Sequence, residues 1–550
     1  MPKLTSLFTF LVSAFALVPF ARTSVTFQNH DDLPLLRLPY GTWRAHHYNE
    51  DADVYKFRNI RYAAAPVGEL RWSKPAPPPP VPRIQDGSYG HNCLPAPIPS
   101  SFESQIPDNI TENAAEDCLF LDVYVPGKAL KERKSSVPVV VWIHGGGYVT
   151  GSKDQAIEIG IYDGTSLIQR ADNDLIIVSI NYRLGAFGFL AGQPLQTNGT
   201  FNAGLHDQRA ALQWVQSYIH LLGGDPENVS AWGQSAGAGS LIYHLVAEGG
   251  TLDPLFRRVL LQSPAFGTST DPQVHYDRFE DFATAAGCPT KGEDTLRCLR
   301  AANSSSLRKA NEEVYVGEPV PDGEYIRNTA LVEYAEGNKW KPIESVLVSH
   351  VLDEGSLSVP SPVPPNFLQS VITGLLPPNS TSGIRKMVNL YETLYANATE
   401  QEMLRAMWTD LIYTCNIRAV LEAYPSPAWA FQYSLLDGVI NATHGSDTVA
   451  TWYSQELQGY TEPLFEKFQR YLTNFARTGD PNEPGSPEYE LDYWPEVSGL
   501  EEEMPLGVLD LDNSGFGVIE DRQMLRGVCE TWTGVLVDAV LGTEGSAGEV

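Results

Sequence analysis

Ser235 stands in the run AWGQSAGAGS (231–240), with a glycine two positions before it and another two positions after. This spacing carries a hydroxyl on a sharp turn between a strand and a helix. The glycines are needed because two backbones meet closely at such a turn, which holds the serine in a strained conformation. The flanking segments fit: NVSAWGQ (228–234) reads as a buried strand and AGAGSLIYHLVAE (236–248) as a helix. A serine hydroxyl is a weak nucleophile until a base takes its proton. The chemistry open to Ser235 is therefore attack on an acyl carbon. It requires a base, an acid to orient that base, and N–H donors for the oxyanion.

The donors are expected from WIHGGGYVTGS (142–152), where three glycines follow a buried strand. The N–H groups of Gly146, Gly147 and Ala236 are expected to converge on the reacting oxygen, and His144 to fix the loop rather than move protons. The histidines after the serine are His244, His275, His350 and His444. His244 falls on the helix that follows the serine, in a core or surface position. Serine hydrolases built on this turn run in the order serine, acid, histidine. VLDEGSLSV (351–359) offers an acid at a loop, and only His444, in NATHGSD, follows it. Read from the residues alone, Glu354, Asp353 and Asp447 all remain candidates for the acid.

The elements that must position these residues are short runs rich in Val, Ile and aromatics: 137–145, 175–183, 228–234, 258–264 and 428–434. They lack clean alternation, as expected for parallel strands covered on both faces. Helical spacing at 207–222 and 236–248 lies between them. Strand–helix alternation predicts an α/β fold with a large, mostly parallel sheet flanked by helices. Ligands in such sheets bind beyond the carboxyl ends of the strands, where the loops after Ile143 and Gln234 lie. No repeat or long linker divides the chain, so residues 24–550 are expected to form one catalytic domain. KPAPPPPVP (74–82) reads as an extended surface crossing and the C-terminal tail as frayed.

The first 23 residues combine one lysine, a short apolar run and small residues, the pattern of a secretory signal peptide rather than a membrane anchor. Secretion predicts oxidised cysteines, and there are six: Cys93, Cys118, Cys288, Cys298, Cys415 and Cys529. Glycosylation sequons occur at Asn109, Asn198, Asn228, Asn303, Asn379, Asn397 and Asn441. A net charge of −29 argues against nucleic acid or an anionic membrane surface as partner. Neither H-E-x-x-H nor paired-cysteine zinc spacing occurs, so no metal or organic cofactor is expected. The amphipathic run 524–541 could pair subunits, leaving monomer or homodimer open, although packing on its own core is the simpler reading.

With these parts assembled, the chain resembles the type-B carboxylesterase/lipase family, which includes the cholinesterases. The likeness runs from about Tyr55 to about Trp532 and is closest in wording to secreted fungal members. EDCLFLDVYVP (116–126) and GGDPENVSAWGQSAG (223–237) resemble the two family signatures. NYRLGAFGFL, LFRRVLLQS, DEGS and HGSD follow in family order. The resemblance implies an α/β-hydrolase fold, favours Glu354 as the acid and gives Ser263 a supporting role behind the triad. It also implies disulfides Cys93–Cys118, Cys288–Cys298 and Cys415–Cys529, and structural ion pairs Arg71–Glu116 and Arg183–Asp207.

Departures from the family narrow the substrate. Cholinesterases carry a tryptophan between the first two cysteines and an acid before the serine. Here 94–116 has no tryptophan, and the residue before the serine is Gln234. A neutral ester is expected over a quaternary ammonium ester. The loop that forms the lid in related lipases is short and polar here, which favours soluble esters over emulsified triglycerides. The expected function is a secreted serine carboxylesterase acting on a small-molecule ester. Acyl transfer or cyclisation on the same triad, triglyceride lipolysis and a non-catalytic binding role are the alternatives.

Overall fold

Val139-Val140-Val141-Trp142-Ile143 explains why the centre of the chain becomes a sheet buried on both faces. Val139, Val141 and Ile143 pack into one core with Ile176, Val178, Ile180 and Val348. Val140 and Trp142 pack into another with Ile177, Trp232, Leu347 and Phe431. Side chains alternate across a strand, so a run apolar at every position needs a covering layer on each side.

The computed structural model describes residues 24–26, 33–97, 113–131, 136–154, 161–266, 272–364, 366–436, 441–454, 462–482, 491–502 and 505–541. The expected leader at 1–23, the sequon at Asn109 and the C-terminal tail lie outside these residues, Ser24–Val25–Thr26 being the first described segment. Among the described residues the main sheet has eleven strands. In chain order they are β1 (His47–Asn49), β2 (Val54–Arg61), β3 (Phe120–Pro126), β4 (Val137–Ile143), β5 (Ile176–Ile180) and β6 (Gly224–Gln234). They continue with β7 (Arg258–Gln262), β8 (Ser345–Val351), β9 (Ala428–Tyr433), β10 (Leu506–Asp512) and β11 (Gly515–Asp521). Their order across the sheet is β11-β10-β9-β8-β7-β6-β4-β5-β3-β2-β1. Strands β4 through β10 pair in parallel, with antiparallel strands at both edges. The five runs expected to be strands are β4, β5, β6, β7 and β9.

Helix α1 (Ala203–Tyr218) begins four residues before the expected start and ends in a short 3-10 turn, Ile219–Leu222. Helix α2 (Ala236–Gly250) leaves the Ser235 turn, and its last residues, Ala247–Gly249, depart from helical geometry. His244 is buried on α2, bonded to Tyr325 Oη at 2.6 Å and Gln208 Oε1 at 3.0 Å. A third apolar cluster lies in a helical layer containing α3 (Thr381–Leu394), α4 (Glu400–Trp408), α5 (Cys415–Ala423) and α7 (Arg526–Leu541), with α6 (Glu462–Thr478) on the opposite side against the sheet. Val528, Trp532, Val535 and Leu536 of α7 are buried in that layer, so the run 524–541 packs on its own core.

All three cysteine pairs implied by the resemblance are bonded, Cys93–Cys118, Cys288–Cys298 and Cys415–Cys529. Both ion pairs are present. Arg71 and Glu116 meet through two bonds of 2.7 Å, as do Arg183 and Asp207. Asn198, Asn303, Asn379, Asn397 and Asn441 are exposed, as glycan acceptors must be. Asn228 differs: it is half-buried in β6, its side-chain oxygen accepts from Arg258, and its sequon serine, Ser230, is fully buried. Its amide oxygen is engaged by Arg258 and its sequon serine is enclosed, so it is poorly placed for a surface glycan.

The Cys415–Cys529 bridge ties α5 to α7 across 114 residues, whereas Cys288–Cys298 spans 10. Loop-closure entropy makes the longer bridge worth about 2 kcal/mol more. Cys415→Ser/Cys529→Ser is expected to lower Tm more than Cys288→Ser/Cys298→Ser, measured by calorimetry at one scan rate.

Candidate active site

Four parallel strands bring the expected residues to one edge of the sheet. The glycine loop follows β4, Ser235 follows β6, Glu354 follows β8, and the His444 loop follows β9. Register sets their heights, with Ile143 opposite Gly233 and Val351 opposite Tyr433.

Ser235 has φ 55° and ψ −125°, a strained backbone for a residue with a side chain. The turn can close only because its flanks are glycine. A Cβ on Gly237 would lie 2.0 Å from the Ile143 carbonyl oxygen, and one on Gly233 would lie 2.6 Å from the Gly237 carbonyl carbon. The Ser235 N–H donates to the Gln262 carbonyl at 2.8 Å, and the Ser235 carbonyl accepts from Gly239 N–H at 2.9 Å, which fixes both ends of the residue.

His444 Nε2 lies 2.8 Å from Ser235 Oγ, and His444 Nδ1 lies 2.6 Å from Glu354 Oε2. The carboxylate accepts a hydrogen bond from Nδ1–H, which leaves the Nε2 lone pair to accept from the serine hydroxyl. Glu354 is fully buried, and its other oxygen accepts from Val351 N–H at 2.9 Å. The rival acids are arranged differently. Asp353 is partly exposed and joins the site through its backbone N–H, which donates to Ala442. Asp447 is fully buried, but its Oδ2 accepts from Gln262 Nε2 at 2.9 Å instead of meeting the imidazole. Burial, reinforced by the Glu354 charge, pushes the Asp447 carboxyl up to about 7.

The glycine loop passes directly over the serine turn. A Cβ on Gly145 would come 2.9 Å from Ser235 Cβ. Gly146 and Gly147 have φ of 111° and 59°, which turn their peptides in a way L side chains resist. Among the described residues neither N–H has a protein acceptor. Ala236 is the first residue of α2, where backbone N–H groups lack helical partners. His144 is buried and stacked on Tyr182 at 4.5 Å, and its Nδ1 faces the Gly145 carbonyl at 2.8 Å. Burial lowers it to about 4, so it is a neutral prop for the loop.

Gln234 is buried, with its amide nitrogen 3.4 Å from His444 Nε2. The residue nearest the imidazole on this side therefore brings no charge. Ser263 is buried just past β7 with φ 45°, and its N–H donates to the Ser349 carbonyl at 2.7 Å. Its hydroxyl bonds to no described residue, so the neighbour that reaches the acid cluster is Gln262, through Asp447. A residue that no motif marked is Tyr413, whose ring packs on the His444 ring at 4.6 Å. It comes from a π-helical turn, Thr409–Thr414, inserted between α4 and α5. Such insertions leave no spacing signal, although they concentrate at functional sites.

The sequence profile of the carboxylesterase family matches residues 33–523. A secreted lipase of Arthroderma benhamiae is 40% identical over 515 residues, covering 92% of this chain and 93% of the relative. Carboxylesterase patB of Aspergillus clavatus is 31% identical over 573 residues, covering 95% and 99%. The crystal structure of Aspergillus niger EstA superposes with a TM-score of 0.78 at 26% identity, covering 93% of this chain and 100% of that one. The chain belongs to the carboxylesterase family and is an ester hydrolase of the α/β-hydrolase fold.

Proposed function

We propose that the protein is a secreted serine carboxylesterase for neutral esters, with Ser235 as nucleophile, His444 as base and Glu354 as the acid that orients it. The observation that carries this reading is the continuous chain from Ser235 Oγ through His444 to Glu354, at 2.8 and 2.6 Å. Ser235 Oγ attacks the ester carbonyl as its proton passes to His444 Nε2. The oxyanion is met by the N–H groups of Gly146, Gly147 and Ala236. The tetrahedral intermediate collapses as His444 returns the proton to the leaving alcohol. Water, activated by the same imidazole, then releases the acid from the acyl-enzyme. Glu354 holds the Nδ1 proton in place and stabilises the imidazolium formed in each half-reaction.

The signal-like leader, the three disulfides and the similarity to a secreted lipase support export. Among the described residues no helix is long and apolar enough to cross a membrane. Residues 24–550 are read as a single catalytic domain. The uncharged Gln234 beside the imidazole supports a neutral alcohol group. The name of the Arthroderma relative favours lipolysis as a second reading. Activity that jumps when a triglyceride passes its solubility limit would support it. Activity that follows dissolved short-chain esters without such a jump supports the esterase.

Ser235→Ala is expected to lower kcat on a short-chain aryl ester by about 10⁴-fold or more with the fold retained. Undiminished turnover overturns the nucleophile. Glu354→Gln is expected to cost about 10³-fold or more, and Asp447→Asn or Asp353→Asn less than about tenfold. A reversed ranking moves the acid. Gln234→Glu is expected to shift the kcat/KM ratio of a choline ester to its uncharged carbon isostere by about tenfold toward the cation, measured at low ionic strength.

A further inference from the structure

His350, on β8 four residues before Glu354, is buried, and each of its ring nitrogens faces an acceptor. Nε2 lies 2.8 Å from Asp521 Oδ2, at the end of β11, and Nδ1 lies 3.1 Å from the Val351 carbonyl oxygen. A carbonyl can only accept; burial alone would raise the Asp521 carboxyl, but the His350 charge and backbone N–H groups such as that of Gln523, at 2.7 Å on Oδ1, hold it below its ordinary value, so that Oδ2 accepts too. Both ring nitrogens therefore carry protons, and the group is an imidazolium.

Val351 is gripped from two sides. Its carbonyl accepts from His350 Nδ1–H, while its N–H donates to Glu354 Oε1. Adjacent ties hold the same segment: Gln523 Nε2 donates to the Leu352 carbonyl, and Leu352 N–H donates to the Tyr433 carbonyl. We propose that His350 is a positioning residue for the candidate acid, an imidazolium held by Asp521 that fixes the Val351 backbone on which Glu354 rests. This inference rests on Glu354 being the acid. No family motif read from the sequence included His350 or Asp521.

The arrangement has a built-in pH limit. Three ionisable groups face His350 from the elements around it: Asp521 from β11, Asp510 from β10, and Glu354 from the turn after β8. Burial alone would lower His350, but the Asp521 carboxylate outweighs it and holds the imidazole up to about 9. Below that pH both ring protons are present. Above it one is lost, a ring lone pair confronts the Val351 carbonyl, and the segment carrying Glu354 loses its anchor.

The test is the pH dependence of kcat and KM between pH 5 and 10.5 on a soluble aryl ester, for wild type, His350→Gln and Asp521→Asn. Wild-type kcat is expected to fall reversibly above about pH 9. His350→Gln is expected to lower kcat about tenfold at pH 7, with KM within about twofold, and to lack that alkaline fall. Asp521→Asn can keep both hydrogen bonds with a neutral imidazole. It is expected to lose less kcat and likewise to lack the fall. Three results would each overturn the proposal: a wild-type profile flat to pH 10.5, wild-type kcat in His350→Gln, or an alkaline fall persisting in the variants. If His350→Gln does not fold, the alkaline limb of Asp521→Asn decides. A harmless Glu354→Gln would instead remove the acid assignment, whereas a crippled Glu354→Gln beside unaffected His350 and Asp521 variants removes this inference alone.

Discussion

The site depends on one close approach, that of the serine turn to the end of β4. The backbone at Gly237 comes so near the Ile143 carbonyl that a single added carbon would sit 2.0 Å from it. That contact follows from the pairing of β4 with β6. It holds the glycine loop over Ser235 with no side chain between them. The relation between the Ser235 hydroxyl and the glycine-loop N–H groups is thus set by sheet register. Strain at Ser235 is sustained by the same packing, because both ends of the residue are tied to neighbouring segments.

Around this fixed centre, charge is distributed unevenly. Glu354 and Asp447 are both fully buried, yet only Glu354 has the imidazole as a partner. Asp447 faces an amide, and burial raises it toward neutral pH. Two buried carboxylates in one pocket thus differ in their partners, an imidazole for Glu354 and an amide for Asp447. Gln234 and the neutral His144 add no further charge. The site therefore holds few full charges close to the reacting atoms.

Much of this was legible in the sequence. Runs of β-branched and aromatic residues marked the buried strands, and the glycine spacings marked the two backbones that must touch. What residue patterns left open was side-chain direction. Asp353, Glu354 and Asp447 are equivalent as letters. They separate only because the turn after β8 sends Glu354 inward and leaves Asp353 to act through its backbone. Tyr413 was invisible because a π-helical turn shifts the phase of its helix. Helix α6 is legible in the same way: Phe465, Phe468, Leu472 and Phe475 repeat at helical spacing and are all buried. The Asn228 sequon read as a surface feature because the triplet carries no information about strand burial.

The candidate catalytic residues enter the chain at 235, 354 and 444, and the longest disulfide closes only at Cys529. A chain delivered from its N-terminus presents the serine turn long before it presents a base. The His444 loop follows β9 (Ala428–Tyr433), and Cys529 lies on α7, so both belong to the last part of the chain to be made. On the proposed roles, Ser235 therefore has no base beside it until the segment carrying His444 has been made. If Ser235 and His444 act as proposed, ester attack waits until β9 joins the sheet beside β8, so that completing the sheet and completing the site are one event.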